Sequence, residues 1–156
     1  IKELWNRKYH LCQTMPIIYE KDGLVQCSGT RLVWPGYGIN RKDFPCFERN
    51  TDYAPSICYL MNKKFLDGIG GFDSQLPMAY EDVDIGIRFR KAGLRPIVIP
   101  QAGAVHLGNS TLQYTKKDRW RFHQARLQVI NKNFKGLNRF TRKLAVQIID
   151  GVNSWC

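Results

Sequence analysis

The sequence predicts an α/β fold in which helices flank a mixed sheet. Short apolar segments of strand length alternate along the chain with segments of helical periodicity, which is the pattern of such sheets. Apolar residues make up 44% of the 156 residues, enough to bury a core within one domain. The sequence has no run of eighteen apolar residues, the length that a membrane-spanning helix requires.

The first elements are predicted to be strands. Residues 16–29 predict a β-hairpin whose turn contains Asp22 and Gly23, because an Asp-Gly pair accepts the positive φ angles of a tight turn. Prolines, glycines and asparagines interrupt every period over residues 34–52, which predicts a long surface loop. Residues 53–61 are apolar nearly throughout, and we therefore expect a strand buried on both faces.

The middle of the chain predicts a helical turn, a glycine-rich loop and a helix. The turn covers residues 62–66. Three glycines then forbid regular structure and allow a backbone approach too close for any side chain: Gly68, Gly70 and Gly71. Residues 81–92 carry acids in the first turn and basic residues in the last, and Gly93 is the stop signal, so they predict a helix.

The last third of the chain predicts two extended segments and two helices. Residues 94–100 form a short buried strand, and residues 102–108 a second extended piece that contains His106. Residues 115–134 predict a long basic amphipathic helix, and residues 138–150 a final helix.

The charge is strongly basic and concentrated near the C-terminus. Twenty-four Lys and Arg against thirteen Asp and Glu give a net charge of +11, which favours phosphorylated partners. Residues 115–143 contain ten Lys or Arg and one acid, Asp118. We accordingly divide the chain into a core portion, residues 1–112, and basic C-terminal helices that pack on it, residues 113–156.

The basic helices have more than one interpretation. In the first, they form a solvated face around an apolar centre. In the second, they form a surface that contacts anionic lipid headgroups or a lipid-diphosphate acceptor, and each basic residue contributes about 1 kcal/mol to the attraction. The apolar centre of the first interpretation comprises Trp120, Leu127 and Ile130. Nucleic-acid binding is the rival from another class, but no helix-turn-helix, zinc-finger or RNP-like signature is present, and no nucleic acid is expected.

The five cysteines indicate neither a disulfide framework nor a zinc site. They are odd in number, widely spaced and free of any CxxC pair. We expect small buried apolar side chains in a reducing, cytoplasmic compartment. The five are Cys12, Cys27, Cys46, Cys58 and Cys156.

Glu81, Asp82 and Asp84 lie where the middle helix begins, and two interpretations fit them. Acids in a first turn are stabilised by the helix dipole by about 0.3–1 kcal/mol each, and Asp84 stands four residues before Arg88, the spacing of a surface ion pair. Alternatively, adjacent carboxylates beside a Gly-Gly loop can meet a substrate hydroxyl. A useful base then requires burial and like charges to raise the carboxylate pKa more than the helix N-terminus lowers it.

One long segment resembles the second half of a family 2 glycosyltransferase with the GT-A fold. It reads MNKKFLDGIGGFDSQLPMAYEDVDIGIRFRKAGLRPIVIPQAGAVHLGNST. Members of that family typically show a GGFD-like loop, an ED-x-D-x-x-x-R helix start, an AG turn, a strand ending in Pro and a later His. Upstream, DGLVQCSG resembles the hairpin that these enzymes carry before a variable loop, so the resemblance covers roughly Pro16 to Thr111.

The resemblance implies a reaction and a set of roles. These enzymes transfer a sugar from a nucleotide diphosphate donor to a hydroxyl acceptor with inversion at the anomeric carbon. By resemblance, Asp82 is the general base and Glu81 an acceptor contact or pKa tuner. His106 approaches the donor diphosphate or its metal, although a lone His among apolar residues also fits a core position. Donor sugar and acceptor meet against a loop of four residues: Gly70, Gly71, Phe72 and Asp73.

The resemblance also implies what must come from elsewhere. A divalent metal, Mn²⁺ or Mg²⁺, neutralises the charge that develops on the leaving diphosphate. GT-A enzymes generally bind it through a DxD motif that follows a nucleotide-binding βαβ region. The only D-x-D here is Asp82-Val83-Asp84, inside the predicted helix. We therefore expect the acceptor side and C-terminal part of a Rossmann-like GT-A fold, with the donor half and metal ligands upstream or on another chain.

The implied setting is synthesis of a surface polysaccharide or glycolipid. The expected partners are a nucleotide-sugar donor and a carbohydrate or lipid-linked acceptor. The expected location is cytoplasmic, at the inner membrane face, with peripheral contact through the basic helices. The alternative from a different class is a catalytically silent carbohydrate-binding or assembly module.

Overall fold

The structure, a computed structural model, describes residues 11–76, 79–108 and 115–153. Within these ranges the chain forms seven strands and four helices. In chain order they are β1 (Gln13–Tyr19), β2 (Val25–Cys27), β3 (Thr30–Val33), β4 (Tyr37–Asn40), β5 (Arg49–Asn50), β6 (Leu60–Met61), α1 (Lys63–Gly68), α2 (Glu81–Lys91), β7 (Ile97–Val105), α3 (Lys116–Asn133) and α4 (Gly136–Asn153).

The main sheet is mixed and has five strands. Its centre is β1, which runs parallel to β7 on one edge and antiparallel to β2 and β6 on the other. β5 pairs with the far edge of β7, and β3 and β4 form a separate two-stranded sheet. The core between sheet and helices is built on Met15, Ile17, Ile18 and Val98, all fully buried. The predicted α/β architecture, a mixed sheet with flanking helices, is confirmed.

The predicted first hairpin is present as β1 and β2. Gly23 has a φ of +85°, in the region that favours glycine. The Glu20 N–H donates to the Leu24 carbonyl at 2.8 Å, and the Leu24 N–H donates to the Asp22 carboxylate at 3.0 Å. The Asp-Gly pair therefore closes the turn as predicted.

The prediction of one surface loop over residues 34–52 is wrong in part. β3 and β4 pair in register from Thr30 opposite Asn40 to Val33 opposite Tyr37, and β5 pairs with β7. Pro35 lies in the connection between β3 and β4, so a breaker that interrupts the pattern marks a hairpin turn.

The prediction of a doubly buried strand over residues 53–61 is also wrong. Only β6, at its end, is a strand. Tyr53 is buried, but its carbonyl accepts hydrogen bonds from the hydroxyls of Thr30 at 2.6 Å and Thr51 at 3.0 Å instead of from a neighbouring strand. Pro55 has no N–H to donate to a ladder. Side-chain hydroxyls thus allow the irregular start of the segment, residues 53–55, to be buried, whereas Ser56 and Ile57 are exposed.

The two extended pieces predicted after the middle helix form a single strand, β7. Its register against β1 shifts between Pro16, which lies opposite Ile99, and Ile17, which lies opposite Gly103. Pro16 cannot donate to the ladder, and a proline in a central strand is tolerated at such irregularities. The break in the sequence pattern therefore marks a bulge within one strand.

The four helices follow the predicted positions. Asn62 caps α1 by accepting from the Lys64 N–H at 3.0 Å, and Gly93 ends α2 with a φ of +75°. Gly68 lies inside α1, so the expectation that it forbids regular structure is wrong. Both α3 and α4 are present, and α4 is longer than predicted. Within the described ranges, no helix is long and apolar enough to cross a membrane.

The cysteines divide by burial. Cys12 and Cys27 are buried, as expected of small apolar side chains, whereas Cys46 is exposed and Cys58 half-buried. All four are free thiols, and Cys156 lies outside the described residues. The expected burial thus holds for two of these four.

Gly86 is the position where α2 presses most closely on the rest of the core. A Cβ built there would lie 2.5 Å from the Asp52 carbonyl oxygen and in closer contact still with the Tyr53 Cβ. We expect Gly86→Ala to destabilise the chain by about 1–3 kcal/mol, because overpacking outweighs the gain in helix propensity. Urea denaturation measures the change.

The matched control is Gly68→Ala in α1. A Cβ at Gly68 would meet nothing within 4 Å. We expect this variant to be as stable as the wild type or slightly more stable, because Ala favours the helix. Equal stability of the Gly86→Ala and Gly68→Ala variants would contradict the close approach at Gly86.

Candidate active site

The candidate site lies at the N-terminus of α2, where two strained residues precede the carboxylates. Ala79 and Tyr80 have φ angles of +114° and +66°, a region that non-glycine residues rarely adopt and that costs about 1–3 kcal/mol per residue. The Ala79 N–H donates to the Glu81 carboxylate at 3.0 Å. Such strain is typical of functional loops, and here it fixes where α2 begins.

Asp82 is a half-buried carboxylate with a raised pKa. Its Oδ1 accepts from the Val83 N–H at 2.7 Å, and its Oδ2 accepts from the Ser56 N–H at 3.2 Å. Burial, followed by the like charge of Glu81, raises the pKa of Asp82 from 3.8 to about 6, against the lowering effect of the backbone donors. Burial and repulsion therefore outweigh the helix N-terminus, a balance that the sequence left open.

The raised pKa of Asp82 predicts a pH-dependent stability. The folded-state pKa lies above the unfolded value, so the fold favours the protonated carboxyl, and this contribution is lost as the pH rises from about 4 to about 6. Asp82→Asn removes the titration. Between pH 4 and pH 7.5 we expect the free energy of unfolding to fall by about 1–2 kcal/mol less in this variant than in the wild type. Urea denaturation at the two pH values measures this, and parallel losses would contradict it.

The glycine loop owes its shape to backbone conformation. Gly70 and Gly71 have φ angles of +86° and +72°, and a Cβ at either would meet nothing within 4 Å. The expectation of a close backbone approach is therefore wrong within the described chain, because the glycines are required by positive φ instead. Arg88 fixes the loop by donating from Nη1 to the carbonyls of Ile69 at 2.8 Å and Gly71 at 2.6 Å.

The rest of the loop presents one ring and one anchored carboxylate. Phe72 is 47% exposed. Asp73 accepts from Lys132 of α3 at 2.8 Å and from the Gln75 N–H at 2.9 Å, and the Lys132 hydrogen bond is the main cause of its lowered pKa. Because Asp73 forms an ion pair with Lys132, the loop contacts α3 through this pair as well as α2 through Arg88.

Asp84 is fully buried, so its expected place in a surface ion pair is wrong. The pair with Arg88 exists, with Nε to Oδ2 at 2.9 Å, but two further donors converge on the same carboxylate. These are Lys132 Nζ at 3.2 Å and Asn133 Nδ2 at 2.7 Å. The spacing of Asp84 and Arg88 indicated the pair, but no local pattern indicated that α3 would cover it.

His106 lies just beyond β7, beside the end of β1. Its backbone N–H donates to the Tyr19 carbonyl at 2.9 Å, and its ring Nδ1 lies 2.9 Å from the amide oxygen of Gln26. The imidazole is half-buried and pairs through Nδ1 with an amide, not with a carboxylate. Among the residues that the structure describes, no three or more His, Cys, Asp or Glu side chains form a metal-binding group.

The sequence did not predict a polar cluster around Asp150. This carboxylate accepts from the Tyr37 hydroxyl at 2.6 Å, from His123 Nδ1 at 2.6 Å and from Arg126 Nη1 at 2.7 Å and 2.5 Å. Burial acts to raise the pKa of Asp150, but these hydrogen bonds and the Arg126 charge together lower it. Arg126 also donates from Nε to the Tyr80 hydroxyl at 2.7 Å, which joins the cluster to the start of α2.

The basic face of α3 also differs from the predicted one. Ile130 is buried as expected of an apolar centre, but Trp120 is 63% exposed. Trp120 stacks on His123, with ring centroids 5.6 Å apart. The apolar centre of the predicted face therefore excludes Trp120.

Two bacterial proteins are similar to short parts of this sequence. One is N-acetylglucosaminyl-diphospho-decaprenol L-rhamnosyltransferase of Mycobacterium tuberculosis, 36% identical over 59 residues, which cover 38% of this chain and 19% of the relative. The other is O-antigen biosynthesis protein RfbC of Myxococcus xanthus, 29% identical over 58 residues, which cover 37% of this chain and 4% of the relative. The chain thus matches at most a fifth of the length of these curated relatives, and no family model matches it.

A solved structure shares the fold. The crystal structure of GalNAc-T7 with UDP, GalNAc and Mn²⁺ superposes with a TM-score of 0.56 at 13% identity, over 76% of this chain and 26% of that one. At this identity the likeness concerns the fold alone. The mixed sheet with its flanking helices is therefore similar to the GT-A glycosyltransferase fold, as the sequence predicted.

Proposed function

We propose that this chain is the C-terminal, acceptor-side portion of an inverting, family 2 GT-A glycosyltransferase. The observation that carries the proposal is Asp82, a half-buried carboxylate at the start of α2 whose pKa of about 6 suits a general base near neutral pH. The GT-A-like fold and the names of the two bacterial relatives support the reaction class.

Asp82 would act on the acceptor hydroxyl. As the acceptor oxygen forms its bond to the anomeric carbon of the donor sugar, the hydroxyl proton passes to the Asp82 carboxylate. The bond from that carbon to the donor diphosphate breaks on the opposite face, and the electron pair leaves with the diphosphate, so the configuration inverts. Asp82 then returns its proton to solvent, which its pKa permits at neutral pH.

The neighbouring residues prepare this step. The charge of Glu81 raises the pKa of Asp82 and so strengthens the base. Gly70 and Gly71 leave open space beside the loop, where donor sugar and acceptor would meet, and the exposed ring of Phe72 offers an apolar contact. Asp73 holds the loop on α3 through Lys132.

The described residues do not make a metal site. Among the described residues, His106 offers one imidazole that belongs to no cluster of carboxylates, whereas Mg²⁺ is usually held by one or two carboxylates together with substrate phosphates. We propose that the ligands of Mn²⁺ or Mg²⁺ lie in a donor half outside this chain, with His106 as an added contact to the metal or the donor diphosphate.

The proposed partners follow from the reaction. They are a nucleotide-sugar donor and a carbohydrate or lipid-linked acceptor in surface polysaccharide or glycolipid synthesis. The core, residues 1–112, would hold the base, and the basic helices within residues 113–156 would contact the inner membrane face from the cytoplasm. Their excess of positive charge suits anionic headgroups.

The test is sugar transfer by a protein in which this region is joined to its donor half. Nucleoside diphosphate release is measured with a panel of nucleotide sugars, and proton NMR gives the anomeric configuration of the product. We expect transfer with an inverted anomeric centre. A retained configuration would overturn the proposed mechanism, and saccharide binding without transfer would favour the silent binding module.

A further inference from the structure

A cavity of about 670 Å³ opens between α3, α4 and β4, and none of the α2 carboxylates lines it. Its volume is in the range of small-molecule sites, about 300–1,000 Å³. The proposed transfer step gives it no role. Among the described residues, its lining is formed by Tyr37 of β4, by α3 between Lys116 and Arg126, and by Gln147, Asp150 and Gly151 of α4.

One face of α3 forms the long wall of this cavity. Its lining residues come singly or in neighbouring pairs every three or four positions, so they share one face of the helix. In order they are Lys116, Arg119, Trp120, Phe122, His123 and Arg126. Ten residues of helix span about 15 Å, so the wall is long enough for a sugar ring and a charged substituent.

The inner end of the cavity is polar and electrically balanced. Arg126 is only 8% exposed, and its charge is paired with Asp150 through two hydrogen bonds. Tyr37 and His123 donate to the same carboxylate, and the Arg126 guanidinium lies 3.9 Å from the centroid of the Tyr37 ring. This end therefore offers fixed hydrogen-bonding groups, which suit sugar hydroxyls better than a bare anion.

The outer end carries uncompensated positive charge beside an exposed ring. Lys116 and Arg119 are exposed, and within the described ranges neither forms an ion pair. Trp120, which is 63% exposed, follows Arg119 directly, and its indole stacks on the His123 ring. Two adjacent cations match the charge of a phosphate, and a flat apolar ring matches the C–H face of a pyranose.

We propose that this cavity binds a phosphorylated saccharide. The phosphate lies at Lys116 and Arg119, the sugar ring packs on Trp120, and the hydroxyls face Arg126 and Asp150. Identifying this ligand as the acceptor rests on the proposed function. This identification fixes the orientation of the bound acceptor, because Arg126 at the inner end of the cavity donates to Tyr80, the residue directly before Glu81. The sugar end would then point toward the carboxylates and the phosphate away from them.

Calorimetric titration of this chain tests the proposal. The probes are glucose 1-phosphate and N-acetylglucosamine 1-phosphate, with glucose, N-acetylglucosamine, glucuronic acid and inorganic phosphate as comparisons. We expect the sugar phosphates to bind at least tenfold more tightly than any comparison. Trp120→Ala and Arg119→Gln should each weaken binding about tenfold. If one of these two variants does not fold, Lys116→Gln replaces it.

The matched control is Arg139→Gln, which removes an exposed cation of α4 that does not line the cavity. It should bind the sugar phosphates as the wild type does. Equal weakening by Arg139→Gln would reduce the effect to general charge and overturn the site. Equal affinity for inorganic phosphate or glucuronic acid, tighter binding of a single-stranded oligonucleotide, or no binding by the folded chain would each overturn the ligand class.

The same titration separates this inference from the proposed function. Binding without any transfer would leave the cavity assignment standing and remove the transferase. Transfer that is insensitive to Trp120→Ala and Arg119→Gln would support the transferase and remove the cavity as its acceptor site.

Discussion

Asp82→Asn is expected to lower sugar transfer by roughly 10²–10⁴-fold, the usual contribution of a positioned general base. Asparagine keeps the shape of the side chain and can still accept a hydrogen bond from the Val83 or the Ser56 N–H. It cannot take up a proton. The loss should therefore fall on kcat, with binding of donor and acceptor retained, in a protein that joins this region to the proposed donor half.

The matched control is Asp22→Asn in the first hairpin turn. Asp22 accepts from the Leu24 N–H, a bond that asparagine can also accept, and it is exposed. We expect this variant to transfer sugar at the wild-type rate. An Asp82→Asn variant that retains more than a tenth of wild-type kcat would remove Asp82 from the base role.

Asp84→Ala is expected to destabilise the fold by about 3–5 kcal/mol, the usual cost of removing one partner of a buried ion pair. Asp84 is fully buried and receives Arg88, Lys132 and Asn133. Its loss leaves the Arg88 guanidinium largely buried without a counter-charge and releases a contact between α2 and α3. Urea denaturation at neutral pH measures the change.

The control is Asp67→Ala in α1, which breaks the exposed pair with Lys63 at 2.6 Å. Lys63 and Asp67 are four residues apart, the same spacing as Asp84 and Arg88. Exposed pairs of this kind contribute about 0.3–0.5 kcal/mol. A similar small loss on Asp84→Ala would mean that the buried network contributes little to stability.

Helices were predicted well because their signals are local. Acids in the first turn of α2 and Gly93 after it are visible in a dozen residues of sequence. The strand predicted over residues 53–61 is absent, and the burial of its first residues depends on distant hydroxyls: Thr30, which satisfies the Tyr53 carbonyl, comes 23 residues earlier. Apolar composition indicated burial, which holds for residues 53–55, but it indicated neither the irregular backbone nor the exposure of Ser56 and Ile57.

The candidate site shows the same division. The carboxylates, the glycine loop and Arg88 lie close together in sequence, and their spacing predicted a common location. The pKa shift of Asp82 did not follow from spacing, because it depends on how deeply the fold buries the side chain. The cluster around Asp150 was missed because Tyr37, its hydroxyl partner, lies 113 residues away, in a segment predicted to be a loop.

The pH dependence of kcat/KM for sugar transfer tests the central claim most directly, because it reports the pKa of the essential base in the free enzyme. We expect the acid limb to have an apparent pKa of about 6 and to move to lower pH in the Glu81→Gln variant, since the Glu81 charge helps raise the pKa of Asp82. An acid limb near pH 4, or one that Glu81→Gln does not move, would contradict the assignment of Asp82 as the base.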